Sequence, residues 1–271
     1  MKNTGSGKID YKMKFDLSEH VIIITGGCGL IGTAFSEACA QLGSHVVLAD
    51  IESAFPEKRA SDLEKKHKRQ MLGVAVDVAN RKSVENLKNE VIKKFGRIDG
   101  LVNAHQNKTN NFFSKFEDYS DENWDAVVKT NLKGTFLTCQ VVGGYMAKMK
   151  SGSIVNIPST YSVVAPNQNL YTGTDMGCPA AYSASKGGVM ALSQYLASYW
   201  SDKQIRVNLL TPHGVWNRHE KKFEENFSKF SPMKRMSYPD EVCGALIFLL
   251  SDASSYVTGH NLMVDGGWTL W

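Results

Sequence analysis

The sequence predicts an α/β domain built on a doubly wound parallel sheet. Three observations carry that expectation: β-branched apolar runs alternate with helix-length segments, a glycine-rich turn joins the first run to the first helix, and an acidic residue closes the second run. The 271 residues are 42% hydrophobic and 21% charged, which suits one large globular domain.

The elements follow in order. After a polar leader over residues 1–17, "HVIIIT" (20–25) reads as a buried strand and "GGCGLIG" as its turn. "TAFSEACAQLG" has helical apolar spacing and stops at Gly43. "HVVLAD" (45–50) is a second strand, 57–69 a charged helix, "MLGVAVDV" (71–78) a third strand and 80–95 a helix. "IDGLVNA" (98–104), a long helix from near Ser120, "GSIVNIPS" (152–159), a helix over 180–200 and "QIRVNLLT" (204–211) continue the alternation. Pro239, Asp240 and Glu241 open a further helix, and "NLMVDGG" (261–267) reads as a last strand. Residues 160–179 and 212–238 break the rhythm, and both follow strands, at the carboxyl edge where open α/β sheets bind ligands.

Charge and composition exclude several classes. The net charge is +4, but residues 1–15 hold four lysines and one aspartate, which leaves the body only +1 and argues against a nucleic-acid footprint. There is no signal-peptide pattern and no apolar run of membrane-spanning length, so a soluble cytoplasmic protein is expected. Five scattered cysteines (28, 39, 139, 178 and 243) point to neither a disulfide frame nor a metal site.

Gly26, Gly29 and Gly32 lie between a strand and a helix, where glycines let backbone amides approach a pyrophosphate at the helix N-terminus. Asp50 ends strand two 18 positions past Gly32; its carboxylate can accept both ribose hydroxyls of NAD and repel the 2'-phosphate of NADP. A strand-end aspartate or a helix cap is the plainer alternative, and Lys58 and Arg59 nearby keep NADP in view. Asp77 closes strand three and either meets the adenine or simply ends the strand.

Tyr182 and Lys186 stand four residues apart on one helix face. A free phenol is a poor base at neutral pH, and a neighbouring ammonium favours its anion. Alone, such a pair more often decorates a helix surface. Ser159, ending strand five, can donate to an oxygen on which charge develops. Asn131 in "TNLKGTF" can kink the long helix and hold a water.

In this order "TGGCGLIG", "LVNA", "NLKGTF", "SIVNIPS", "YSASK", "IRVNLLTPHGV" and "YVTGHNLMVDGGW" resemble the single-domain branch of the short-chain dehydrogenase/reductase family, over residues 18–271. The resemblance implies a Rossmann-type catalytic domain, bound NAD, hydride transfer between an alcohol and a ketone, and no metal. It implies that Tyr182 is the acid/base, Lys186 binds the nicotinamide ribose and lowers the tyrosine pKa, Ser159 orients the reacting oxygen and Asn131 completes a proton relay. Leu30, Ile31, Val78, Asn103, Pro212, Gly214 and Val215 join the glycines and aspartates as cofactor contacts. A homodimer or homotetramer is implied, with Trp268 and Trp271 at a subunit interface or folded onto their own chain.

Four departures stand out. TGxxGxxG spacing resembles the extended, nucleotide-sugar branch, although the chain lacks room for its extra domain. His105 and His213 replace expected residues, either as packing changes or as contacts to ligand. Ser159 and Tyr182 are 23 residues apart instead of about a dozen, and the insertion carries Tyr161, Asn167, Asn169, Tyr171, Thr172, Thr174 and Asp175. Its pattern resembles oxidoreductases of surface-sugar and flagellin modification, and its polar lining suits a sugar-like substrate. A nucleotide-sugar epimerase or dehydratase and a non-enzymatic NAD-binding scaffold are the alternatives.

Overall fold

A computed structural model describes residues 10–270. Part of the leader, residues 1–9, and Trp271 lie outside the described residues. The strands are β1 (Val21–Thr25), β2 (His45–Asp50), β3 (Leu72–Ala75), β4 (Gly100–Asn103), β5 (Gly152–Asn156), β6 (Ile205–Pro212) and β7 (Asn261–Val264). They form one sheet in the order β3-β2-β1-β4-β5-β6-β7, every pair parallel. The order reverses between β1 and β4, and a crevice opens there above the carboxyl ends of the strands.

The helices are α1 (Leu30–Gln41), α2 (Pro56–His67), α3 (Arg81–Phe95), α4 (Asp121–Val128), α5 (Gly134–Thr138), α6 (Gly144–Met149), α7 (Ala180–Tyr199), α8 (Lys221–Phe230) and α9 (Cys243–Leu250). Side chains alternate across each strand, so the sheet buries apolar groups on both faces. Ile23, Val47, Leu101, Ile154 and Val207 join one core with Val84 and Leu87 of α3 and Leu196 of α7. Ile22, Ile24, Val46, Val102 and Val155 join the other with Phe35 and Cys39 of α1 and Leu246 of α9. Leu17, at the end of the polar leader, is fully buried in that second core.

Strands three, four, five and seven stop earlier than their apolar runs predict. Asp77, Val78, Ala104, Ile157 and Ser159 turn off the sheet instead and line the crevice. The long helix is capped by Ser120, whose Oγ accepts from Asn123 N–H. It is interrupted by π-helical turns at Lys129–Lys133 and Cys139–Gly143. Such turns re-aim side chains at functional sites; the first carries Asn131, and the Thr135 hydroxyl donates to the Asn131 carbonyl at 2.8 Å. The 160–179 insertion contains two 3-10 turns, Thr160–Ser162 and Gln168–Tyr171. It docks on α8, where Asn226 donates to the carbonyls of Leu170 and Thr172 at 3.0 and 2.9 Å.

Candidate active site

The crevice is a cavity of about 740 Å³, with the glycine turn at one end and the Tyr182 helix at the other. Gly26 takes φ +68°, a left-handed conformation that a side chain disfavours. A Cβ on Gly32 would sit 2.0 Å from the Gly26 carbonyl oxygen, so turn and helix meet backbone to backbone. Gly29 caps α1, and Leu30 and Ile31, whose first-turn amides have no helical acceptor, line the cavity.

Asp50 is held above this turn. One oxygen accepts from Cys28 N–H at 2.9 Å, the other from Ile51 N–H at 2.8 Å. Asp77 and Val78 wall the same end, with the Asp77 carboxylate accepting from Ala79 N–H at 2.9 Å. Arg59 of α2 reaches the Thr33 hydroxyl of α1 at 3.5 Å and does not line the cavity. Pro212, Gly214 and Val215 line the opposite wall. This backbone cradle under a fixed carboxylate fits a nicotinamide dinucleotide, its pyrophosphate on α1 and a ribose at Asp50.

Tyr182 and Lys186 rise from the first turns of α7, and Ser159 from the turn after β5; all three line the cavity. Lys186 is 4% exposed, its Nζ donating to the Ile157 carbonyl at 2.7 Å and lying 5.8 Å from the Tyr182 ring centroid. Burial brings its pKa down to about 8. Burial raises the Tyr182 pKa, a hydrogen bond with the Ser159 side chain opposes that rise, and Cys178 adds to it. In the chain by itself burial therefore prevails, the opposite direction to the one the Tyr–Lys pairing implies. Ser159 Oγ accepts from Tyr161 N–H at 3.2 Å, which leaves its own proton free to donate.

Asn131 and Asn103 stand behind the cavity wall. Asn131 is 1% exposed; its Oδ1 accepts from Asn107 N–H at 2.8 Å and its Nδ2 donates to Ser185 Oγ at 3.2 Å. Asn103 is also buried. Its Nδ2 donates to Asn156 at 2.8 Å and its Oδ1 accepts from Thr138 and Thr25. The Asn103 side chain ties β4 to β5 beneath the floor, and Asn103 is not among the residues lining the cavity.

Both unexpected histidines line the cavity. His105 Nδ1 meets Thr25 Oγ1 at 2.7 Å and Nε2 meets Thr135 Oγ1 at 3.4 Å. Burial, with Lys186 nearby, takes its pKa down to about 3. His213 bonds Thr160 through Nδ1 at 2.7 Å, packs on Trp268 with ring centroids 4.4 Å apart, and is taken by burial to about 4. Trp268 thus folds back on its own chain.

The insertion meets the cavity differently from its composition. Tyr161 and Tyr171 line it, their hydroxyls 2.6 Å apart, together with the apolar Leu170 and Met176. Asn167 and Thr174 instead close their own turns: Asn167 accepts from Asn169 N–H, and Thr174 bridges Tyr171 and Met176. Asn169, Thr172 and Asp175 are exposed, outside the lining. Further polar lining comes from Gln106, Asn107 and Lys108 after β4 and from Asn217 and His219 after β6. Sequence reasoning missed these; the signal was their position on loops that follow strands at the carboxyl edge.

A family model described as Enoyl-(Acyl carrier protein) reductase matches residues 29–269. The NAD-dependent glycerol dehydrogenase of Listeria innocua is 33% identical over 261 residues, 94% of this chain and 96% of that protein. The post-translational flagellin modification protein A of Campylobacter coli, the kind of relative the insertion resembles, is 31% identical and covers 94% of this chain and 100% of its own. The crystal structure of a gluconate 5-dehydrogenase from Burkholderia cenocepacia, in complex with NADP and tartrate, superposes with a TM-score of 0.86. That protein is 28% identical, with 96% of this chain and 98% of that one covered.

The chain belongs to the short-chain dehydrogenase/reductase family, in its single-domain form. It is an NAD(P)-dependent oxidoreductase enzyme that interconverts alcohol and ketone. Among the described residues no helix is long and apolar enough to cross a membrane.

Proposed function

We propose that this enzyme uses NAD to interconvert a secondary alcohol and its ketone on a polyhydroxylated, sugar-like substrate. The observation that carries the proposal is that Tyr182, Lys186 and Ser159 share one cleft with a dinucleotide cradle whose ribose end is closed by Asp50. The glycerol dehydrogenase and gluconate 5-dehydrogenase relatives support a polar alcohol.

A nicotinamide dinucleotide held between the glycine turn and Lys186 would supply the hydride-transfer chemistry. In the oxidation direction the Tyr182 oxygen takes the hydroxyl proton of the substrate. The cationic Lys186 stabilises the phenolate and binds ribose hydroxyls beside it, offsetting the burial that raises the tyrosine pKa in the chain alone. Ser159 donates its free proton to the reacting oxygen and fixes its distance from Tyr182. Asn131 acts from behind, holding Asn107 on one side and Ser185 on α7 on the other, and so positions the relay that returns the proton to solvent.

Asp50 supports NAD over NADP, since both its oxygens are fixed by backbone amides and a 2'-phosphate would face a carboxylate. The same reading makes the enzyme a cytoplasmic homodimer or homotetramer. The test is a screen of polyols, sugar acids, sterols and acyl alcohols with each dinucleotide, followed by NADH absorbance. Turnover of polyols with NAD is expected. Turnover of hydrophobic alcohols only overturns the substrate class, and isomerisation or water loss without NADH accumulation favours an epimerase or dehydratase.

A further inference from the structure

We propose that the substrate carries an anionic group, a carboxylate or a phosphate, which is held at the mouth of the cleft by Lys108 and His219. This rests on the reading of the cleft as an alcohol dehydrogenase site and names the charge of what it takes.

Lys108 follows β4 on the loop whose path is fixed one residue earlier, where Asn107 N–H donates to Asn131 and its side chain to the Ala126 carbonyl at 3.3 Å. His219 lies on the loop after β6, with its ring stacked on Phe223, centroids 5.0 Å apart. Both line the cavity that holds Tyr182. Two nitrogen donors, one from the loop after β4 and one from the loop after β6, therefore line the same cavity.

Among the described residues these donors have no protein acceptor. Among the described residues Lys108 forms no ion pair, although protein around its ammonium lowers its pKa by desolvation. His219 accepts from Asn217 N–H through Nδ1 at 3.2 Å, so the neutral ring carries its proton on Nε2 and is a donor even when uncharged. Lys108 stands close enough to disfavour the charged form of His219, second only to burial. Glu224 is the carboxylate that opposes this, and it is occupied by the Trp216 Nε1–H at 2.6 Å. An exposed ammonium and a ring N–H donor that line one cavity, with the local carboxylate engaged elsewhere, form an anion site in charge and in hydrogen-bonding capacity. A neutral polyol would leave the ammonium without a counter-charge.

The experiment measures kcat and KM for aldonates, sugar-alcohol phosphates and neutral alditols of matched chain length, in the wild type and in Lys108→Gln, Lys108→Arg and His219→Gln. The expected result is a preference for one anionic class, which identifies the group as carboxylate or phosphate. Lys108→Gln should raise KM for that class about tenfold to a hundredfold, the loss of one charge-assisted hydrogen bond. The KM for NAD should be unchanged, and Lys108→Arg should restore most of the loss. Equal use of neutral and anionic alcohols, or a Lys108→Gln effect on NAD instead, overturns the anion site while leaving the dehydrogenase reading intact. If no alcohol is oxidised, that reading fails and titration calorimetry of tartrate and inorganic phosphate onto the enzyme–NADH complex decides the site. Binding lost in Lys108→Gln sustains it, and no binding overturns it.

Discussion

The Lys186 ammonium lies 5.8 Å from the Tyr182 ring centroid and spends one of its protons on the Ile157 carbonyl at 2.7 Å. One helical turn and one strand end thus fix a buried cation beside a phenol, with two further N–H groups left for ligand.

That burial sets a pH signature. The folded pKa of Lys186, about 8, is below its ordinary value of 10.5, so between these the unfolded chain holds more protons and stability rises with pH. The cost of burying the ammonium is fully present below pH 8 and is relieved as pH climbs towards 10.5. In Lys186→Met the group is gone. Thermal melts should therefore show wild type gaining on the variant as pH is raised through this window, and a constant gap would contradict the assignment.

His105 and His213 give the acid counterpart. Their folded pKa values, about 3 and about 4, lie below the ordinary 6.5, so the unfolded chain takes up protons first. Stability is lost as pH falls from 6.5 towards 4, and His213→Phe should flatten part of that limb in denaturant titrations at pH 7, 5.5 and 4.5. An unchanged slope would mean that His213 is not buried as a neutral ring.

Cofactor choice is read at Asp50. Wild-type kcat/KM for NAD should exceed that for NADP by about 100-fold, the size of a like-charge juxtaposition of a few kcal/mol. Asp50→Asn should narrow the ratio at least tenfold, by ~1.4 kcal/mol or more. An unaltered ratio would remove Asp50 from the ribose site.

Much of this was legible because it is local. The apolar runs become strands, and the Gly26–Gly32 turn and the Tyr182–Lys186 spacing act within a few residues of chain. What required the fold was direction. Asn103 belongs to a motif beside the cleft, yet its side chain turns into the sheet and holds Asn156. Asn167 and Thr174 have the composition of a sugar-binding wall, but short polar side chains satisfy their own backbone first. Lys108 and His219 are ordinary loop residues in sequence and line one cavity only because β4 and β6 bring their loops to one edge.

The central claim is that the Tyr182 hydroxyl exchanges the proton of the reacting alcohol. The most direct measurement is turnover of the best alcohol by Tyr182→Phe alongside NADH binding by fluorescence titration. Removing only that oxygen should lower kcat by about 10²–10⁴-fold, as loss of a general acid/base does, with NADH affinity within about threefold of wild type, under 1 kcal/mol. A variant that binds NADH and keeps wild-type kcat would contradict the account.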